Sequence, residues 1–170
     1  MEQIIRGKVF PFGKNIDTDQ IYPGRFVELT DTADVARHAM EGADPEFARL
    51  FSHGDIIVAA SNFGCGSSRE HAAITLKSVG AGAVIADSFG RIFYRNAVNI
   101  GLPVLVCKGL RDRVNKGDII SVRMDTGRVL NAGGETLGLL EPVSDYLLNI
   151  LRAGGIKPLL RKQLASEKFA

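Results

Sequence analysis

The residues Asp55-Ile56-Ile57-Val58-Ala59-Ala60 form a nearly unbroken apolar run, the pattern of a strand covered on both faces. Two more such runs follow, Ala83-Val84-Ile85-Ala86 and Val104-Leu105-Val106. The spacing predicts a helix from about Ser67 to Val79 between the first two and another from about Phe89 to Asn99 before the third, with Gly101-Leu102-Pro103 as the turn. Strand, helix, strand, helix, strand is the order that builds a parallel sheet with crossover helices.

The flanks read differently. Ile4 to Phe10 alternates loosely, as a strand would, and is followed by a polar, turn-rich stretch from Pro11 to Gly24. Thr30 or Asp31 is expected to cap a helix running to about Met40, with Asp34 in its acidic first turn. A second short helix opens near Asp44-Pro45 and is expected to carry Phe47, Leu50 and Phe51 inward. Asp118 to Met124 alternates with period two, Asp125-Thr126-Gly127 turns, Arg128-Val129-Leu130 returns, and Asn131-Ala132-Gly133-Gly134 turns again before Glu135 to Leu140. That is an antiparallel meander. Helices near Ser144–Ala153 and Lys157–Leu164 close the chain. With no internal repeat or linker, residues 1–170 are expected to form one α/β domain: a central parallel βαβαβ unit, then the meander, then C-terminal helices.

Length supports this, since 170 residues suffice for one well-cored domain and are short for two. The formal net charge of +2 is not concentrated in any Lys/Arg run, which argues against a nucleic-acid partner. Arg152, Lys157, Arg161, Lys162 and Lys168 are mixed with apolar residues and read as a solvated helix face. Met1-Glu2-Gln3-Ile4-Ile5-Arg6-Gly7 lacks a basic segment followed by an apolar stretch, so no signal peptide is expected. No apolar run approaches membrane-spanning length. Cys65 and Cys107 form neither a CxxC motif nor a disulfide framework. The expectation is a cytoplasmic protein with two free thiols and no membrane association.

The segment richest in chemistry is Asn62-Phe63-Gly64-Cys65-Gly66-Ser67-Ser68-Arg69-Glu70-His71. Gly64 and Gly66 permit close backbone approach to a ligand, and a helix N-terminus beside them would favour negative charge. Three arrangements compete. Ser67-x-x-Glu70 fits a capping box. Gly-x-Gly with Asp87 after the next strand fits part of a dinucleotide fingerprint, although Arg69 occupies the third glycine position. Alternatively, Ser67, Ser68 and Arg69 form a carboxylate site with a serine base, the guanidinium offering a bidentate fork and a charge that favours an alkoxide.

Gly64-Cys65-Gly66-Ser67-Ser68-Arg69-Glu70-His71 resembles the signature of the swivelling C-terminal domain of aconitases. In the leucine-pathway isopropylmalate isomerases and in homoaconitase relatives, that domain is a separate small subunit. Asn15-Ile16-Asp17-Thr18-Asp19-Gln20-Ile21 with Pro23-Gly24-Arg25 resembles the family's opening loop. Asp87-Ser88-Phe89-Gly90-Arg91-Ile92-Phe93-Tyr94-Arg95-Asn96, with Asn99-Ile100-Gly101-Leu102-Pro103, resembles the segment after the next strand. The blocks keep the family's order from about residue 5 to residue 155. The resemblance implies the swivelling-domain fold of β/β/α layers. It implies that Ser67 removes the proton beside a carboxylate and that Asp19 is an active-site acid. It further implies that Ser68, Arg69 and Arg25 bind substrate carboxylates. Without it, Asp17 and Asp19 read as Asx turns, Arg25 as a surface charge, and Arg91 and Arg95 as pairing along a helix.

The resemblance also implies a hydro-lyase working through a four-iron four-sulfur cluster on three thiolates, its open iron a Lewis acid for the leaving hydroxyl. Only Cys65 and Cys107 are present, and His38, His53 and His71 are scattered. This chain is therefore expected to bind no cofactor itself, the cluster lying on a large catalytic subunit in a heterodimer or heterotetramer. The isolated chain is expected to be stable and inactive, with self-association open to it. The substrate would be a small hydroxy acid with a malate core. In Phe26-Val27-Glu28-Leu29, Val27 and Leu29 offer apolar surface and Glu28 repels an added carboxylate. That favours interconversion of 2-isopropylmalate and 3-isopropylmalate in leucine biosynthesis. The alternatives are a homoaconitase or dimethylmalate dehydratase small subunit, or a non-catalytic anion-binding module.

Overall fold

The structure, a computed structural model, describes residues 4–167; Met1 to Gln3 and Lys168 of the sequence reading lie outside the described residues. Along the chain the elements are β1 (Ile4–Pro11), α1 (Thr18–Ile21), α2 (Thr32–Arg37), α3 (Phe47–Leu50), β2 (Ile56–Ala59), α4 (His71–Ser78), β3 (Ala83–Ala86), α5 (Arg91–Asn99) and β4 (Val104–Val106). After these come β5 (Ile119–Arg123), β6 (Arg128–Asn131), β7 (Thr136–Leu139), α6 (Asp145–Ala153) and α7 (Ile156–Glu167).

The strands form one sheet in the order β4-β3-β2-β1-β5-β6-β7. β1 to β4 pair in parallel, with Val9 opposite Ile56 and Ile57 opposite Val84. On its other edge β1 pairs antiparallel with β5, Ile5 opposite Val122 and Gly7 opposite Ile120. β1 is thus the seam between the two halves of the sheet.

Pleating sends alternate residues to opposite faces. Phe10, Ile57, Ala59, Val84 and Ala86 join Ile21, Phe47, Leu76, Phe93 and Ala97 in a core beneath the helices. Val9, Ile56, Val58, Ile85 and Leu105 instead join Ile120, Val122 and Val129 of the antiparallel half. The sheet therefore curls so that its second half covers the first, giving the β/β/α layers. The Glu141 N–H donates to Val106 O at 2.8 Å, tying the chain beyond β7 back to β4. Strands buried on both faces usually carry helices on each side; here the meander replaces one helical layer.

Several local expectations shift. The helix expected to reach Met40 ends at Arg37, because Met40, fully buried, adopts φ 57° and donates its N–H to Ile21 O at 2.7 Å. Phe47 and Phe51 point inward, but Leu50 is 40% exposed: a helix of one turn cannot face all three to the core. The polar stretch after β1 contains the one-turn α1, capped reciprocally by Asp17 and Gln20. α7 begins at Ile156 and runs to Glu167, past the expected Leu164. Arg152, Lys157, Arg161 and Lys162 are solvent-exposed as expected.

Candidate active site

The loops after β1, β2 and β3 emerge together at the carboxyl ends of parallel strands, where α/β sheets place their ligands. The glycine loop after β2 lies between the other two. A short parallel bridge joins Cys65 to Asp17, and another joins Phe63 to Phe89. Gly64 donates to Ile16 O at 2.7 Å, and Gly90 donates to Phe63 O at 2.8 Å. Gly64 is required here: it has φ 77°, and a Cβ would sit 2.2 Å from Phe93 Cγ. Gly66, at φ 108°, leaves room for Thr18 Oγ1, which a Cβ would approach to 3.1 Å.

Ser67 does not start a helix. α4 begins at His71, Glu70 makes no side-chain cap, and the Ser67–Glu70 capping box is absent. The physical reason is competition. The Ser67 N–H donates to Thr18 Oγ1 at 3.1 Å, and Ser67 Oγ lies 3.1 Å from the same atom. Arg69 Nε donates to Ser67 Oγ at 3.1 Å, while Arg69 Nη2 donates to Asp19 Oδ1 at 3.0 Å. Gly24 backs this guanidinium, a Cβ there falling 2.7 Å from Nη1. Ser67, Arg69 and Asp19 are thereby brought together, with buried Thr18 beneath them.

The remaining candidates take no part in these hydrogen bonds. Ser68 is exposed. The 65% exposed Arg25 guanidinium donates to Glu41 Oε1 at 2.6 Å and lies over the Phe26 ring at 4.6 Å. Glu41 also meets His38 Nδ1 at 2.5 Å, and His38 stacks on Phe26 with ring centres 3.6 Å apart. Burial works against the Glu41 carboxylate. Hydrogen bonds from His38 and Arg25, with their charge, outweigh it and hold its pKa below the ordinary value. This closed ring of contacts braces the turn that carries half-buried Val27 and Leu29 and exposed Glu28. Burial raises the pKa of Tyr22, whose hydroxyl donates to Phe26 O at 2.7 Å.

Residues 7–108 match the aconitase C-terminal domain family. The chain is 47% identical to the isopropylmalate/citramalate isomerase small subunit of Methanocaldococcus jannaschii over 99% of its own length and 100% of that protein's. It is 51% identical to the methanogen homoaconitase small subunit of Methanothermobacter thermautotrophicus, over 92% and 90%. A crystal structure described as 3-isopropylmalate dehydratase from Methanocaldococcus jannaschii superposes with a TM-score of 0.91 at 41% identity, covering 98% and 99% of the two chains. The chain belongs to the aconitase C-terminal domain family, among the small subunits of the 3-isopropylmalate dehydratase type. As a small subunit of that family it is one part of a hydro-lyase that works with a large subunit.

The resemblance implies an iron–sulfur cluster, and the donor set of this chain tests whether its own residues could hold one. Cys65 lines a cleft beside the glycine loop, whereas Cys107 is buried in the core between the two halves of the sheet. Burial and the nearby Asp87 charge raise the Cys107 thiol pKa, and Arg113 offsets this in part. Among the described residues no three His, Cys, Asp or Glu side chains group to hold a metal. These residues do not fit an iron–sulfur cluster. Asp87, the candidate ribose acid, accepts the Gly109 N–H at 2.9 Å and is occupied structurally. Among the described residues no helix is long and apolar enough to cross a membrane.

Sequence reasoning left three residues out of the site. Arg91 and Arg95, read as helix pairing, make no ion pair among the described residues; both line a cleft of about 480 Å³ with Ser67, Gly66 and Cys65. Their spacing of four on α5 was the available signal, since it puts both on one face. Thr18 stood in the quoted Asp17-Thr18-Asp19 motif, but its role requires a partner 49 positions away.

Proposed function

We propose that this chain is the small subunit of a two-chain hydro-lyase that interconverts 2-isopropylmalate and 3-isopropylmalate by dehydration and rehydration in leucine biosynthesis. Ser67 acts as the base. Ser67 lines the cleft, and its Oγ accepts a hydrogen bond from the Arg69 guanidinium, an arrangement that stabilises the serine alkoxide more than the neutral hydroxyl. That contact is the observation that carries the reading. Asp19 holds the far end of Arg69 and serves as an active-site acid. Ser68, Arg69 and Arg25 bind and orient substrate carboxylates; Arg25 reaches them by leaving Glu41. Val27 and Leu29 supply apolar surface for the isopropyl group. The iron–sulfur cluster belongs to the large subunit. The chain works as one swivel-type domain in the cytoplasm, in a heterodimer or heterotetramer, and is inactive alone.

A second reading takes homoaconitate or citramalate as substrate, and it is favoured by the names of the relatives at 51% and 47% identity. The exposed Glu28 argues against an added carboxylate and for the branched aliphatic substituent.

The experiment mixes this chain with its cognate large subunit, reconstituted anaerobically, and follows dehydration of 3-isopropylmalate, with homoaconitate and citramalate as competitors. Activity that needs both chains and collapses in Ser67→Ala supports the reading. Absence of activity in an assembled complex with an intact cluster removes it.

A further inference from the structure

Within the Asp17-Thr18-Asp19 motif, the Asp19 carboxylate is 63% exposed while Thr18 is 4% exposed. A hydroxyl withdrawn from water needs partners, and those of Thr18 are informative. Its Oγ1 accepts the Ser67 N–H at 3.1 Å and meets Ser67 Oγ at 3.1 Å, so one atom grips both the amide and the hydroxyl of Ser67. Thr18 is itself fixed: its N–H donates to Cys65 O at 2.8 Å, and Asp17 caps the helical turn that Thr18 opens.

A hydroxyl oxygen carries one hydrogen and two lone pairs. The Ser67 amide takes one lone pair of Thr18 Oγ1, leaving its hydrogen free to be donated to Ser67 Oγ. Arg69 Nε donates to the same Ser67 oxygen. With Thr18 and Arg69 both donating, the Ser67 hydrogen is directed away from both donors, and Ser67 is among the residues that line the cleft. As an alkoxide, Ser67 Oγ keeps both hydrogen bonds, one from a cation, and takes the substrate's proton at its remaining position to become the neutral hydroxyl, with no group having to reorient.

We propose that Thr18 is a positioning residue that aims the Ser67 hydroxyl at the cleft and stabilises its deprotonated form. The inference rests on Ser67 as the base. In the complex with a cluster-loaded large subunit, Thr18→Val preserves shape and removes the donor and both lone pairs, whereas Thr18→Ser keeps them. Thr18→Val is expected to lower kcat by about 10²-fold, the scale of one lost oxyanion donor. KM should change by less than about threefold, since ground-state contacts are untouched. The acid limb of the kcat profile should move to higher pH, and Thr18→Ser should restore most of kcat. An unchanged kcat and pH profile in Thr18→Val, or a loss that Thr18→Ser does not restore, overturns the proposal. If Thr18→Val does not assemble, Thr18→Ala is judged by the same criteria. Ser67→Ala separates the two levels. If it retains wild-type activity, the base reading falls and Thr18's role with it. If it is inactive while Thr18→Val is fully active, the base reading stands and the Thr18 proposal alone falls.

Discussion

Arg69 donates from Nη2 to Asp19 Oδ1 at 3.0 Å, an ion pair that spans the 50 positions between the glycine loop and the opening loop. The same guanidinium donates from Nε to Ser67 Oγ. The Arg69 and Asp19 side chains are 38% and 63% exposed, so the pair contributes little stability. Its consequence is geometric: one rigid fork sets the serine of one loop against the carboxylate of another.

Arg69→Lys tests that geometry. An ammonium is a single point charge and cannot bridge Ser67 and Asp19 as the fork does. The variant should fold and assemble normally, with kcat/KM for the favoured substrate reduced by about 10²-fold, near 2.7 kcal/mol of transition-state stabilisation. Steady-state kinetics beside a thermal melt check both parts.

Gly64→Ala should damage the fold more than any surface change in this loop. A methyl there collides with the Phe93 ring and forces alanine into a left-handed backbone. Strain and overpacking together are expected to cost about 2–4 kcal/mol. The melting temperature should fall by roughly 5–15 °C.

Glu41 links the Arg25 brace to pH. Its folded pKa lies below the ordinary value, so it contributes stability above the ordinary carboxylate range and loses it as pH falls through the lowered pKa. Glu41→Gln should therefore be less stable than the wild type at neutral pH, by about 0.5–1 kcal/mol for a partly exposed pair. In acid the difference should vanish. Urea unfolding across pH reads this directly; a gap that persists or widens in acid would contradict the ion-pair origin.

Glu28→Arg should redirect substrate choice. A cation in place of an exposed anion beside Val27 and Leu29 is expected to raise the ratio of kcat/KM for homoaconitate over 3-isopropylmalate by about tenfold, near 1.4 kcal/mol. Competition kinetics in the assembled complex measure the ratio. If the ratio does not move, this turn does not face the variable group of the substrate.

Much of this protein was legible before folding. Ile56 to Ala59, Ala83 to Ala86 and Val104 to Val106 announce buried strands because continuous burial leaves a continuous apolar run. The meander shows as period two because one face of β5, Ile120 and Val122, is buried while its neighbours are not. The glycine loop and its companions identified the family because close approaches, such as Gly64 against the Phe93 ring, demand particular residues in particular order.

Other features have no periodic trace. Nothing in Ile4–Pro11 says that β1 will pair parallel on one edge and antiparallel on the other, since the pattern of a strand records its faces and not its neighbours. The Ser67-x-x-Glu70 pattern fits a cap, yet Thr18 takes the Ser67 amide and the helix starts at His71. Arg91 and Arg95 face a cleft, and not acids, only because α5 lies beside the glycine loop. Local burial and backbone conformation are written in neighbouring residues and could be read from the chain alone. Contacts such as Thr18 with Ser67 or Asp19 with Arg69 join residues 49 and 50 positions apart, and only the stacked, curled sheet brings their atoms within hydrogen-bonding distance.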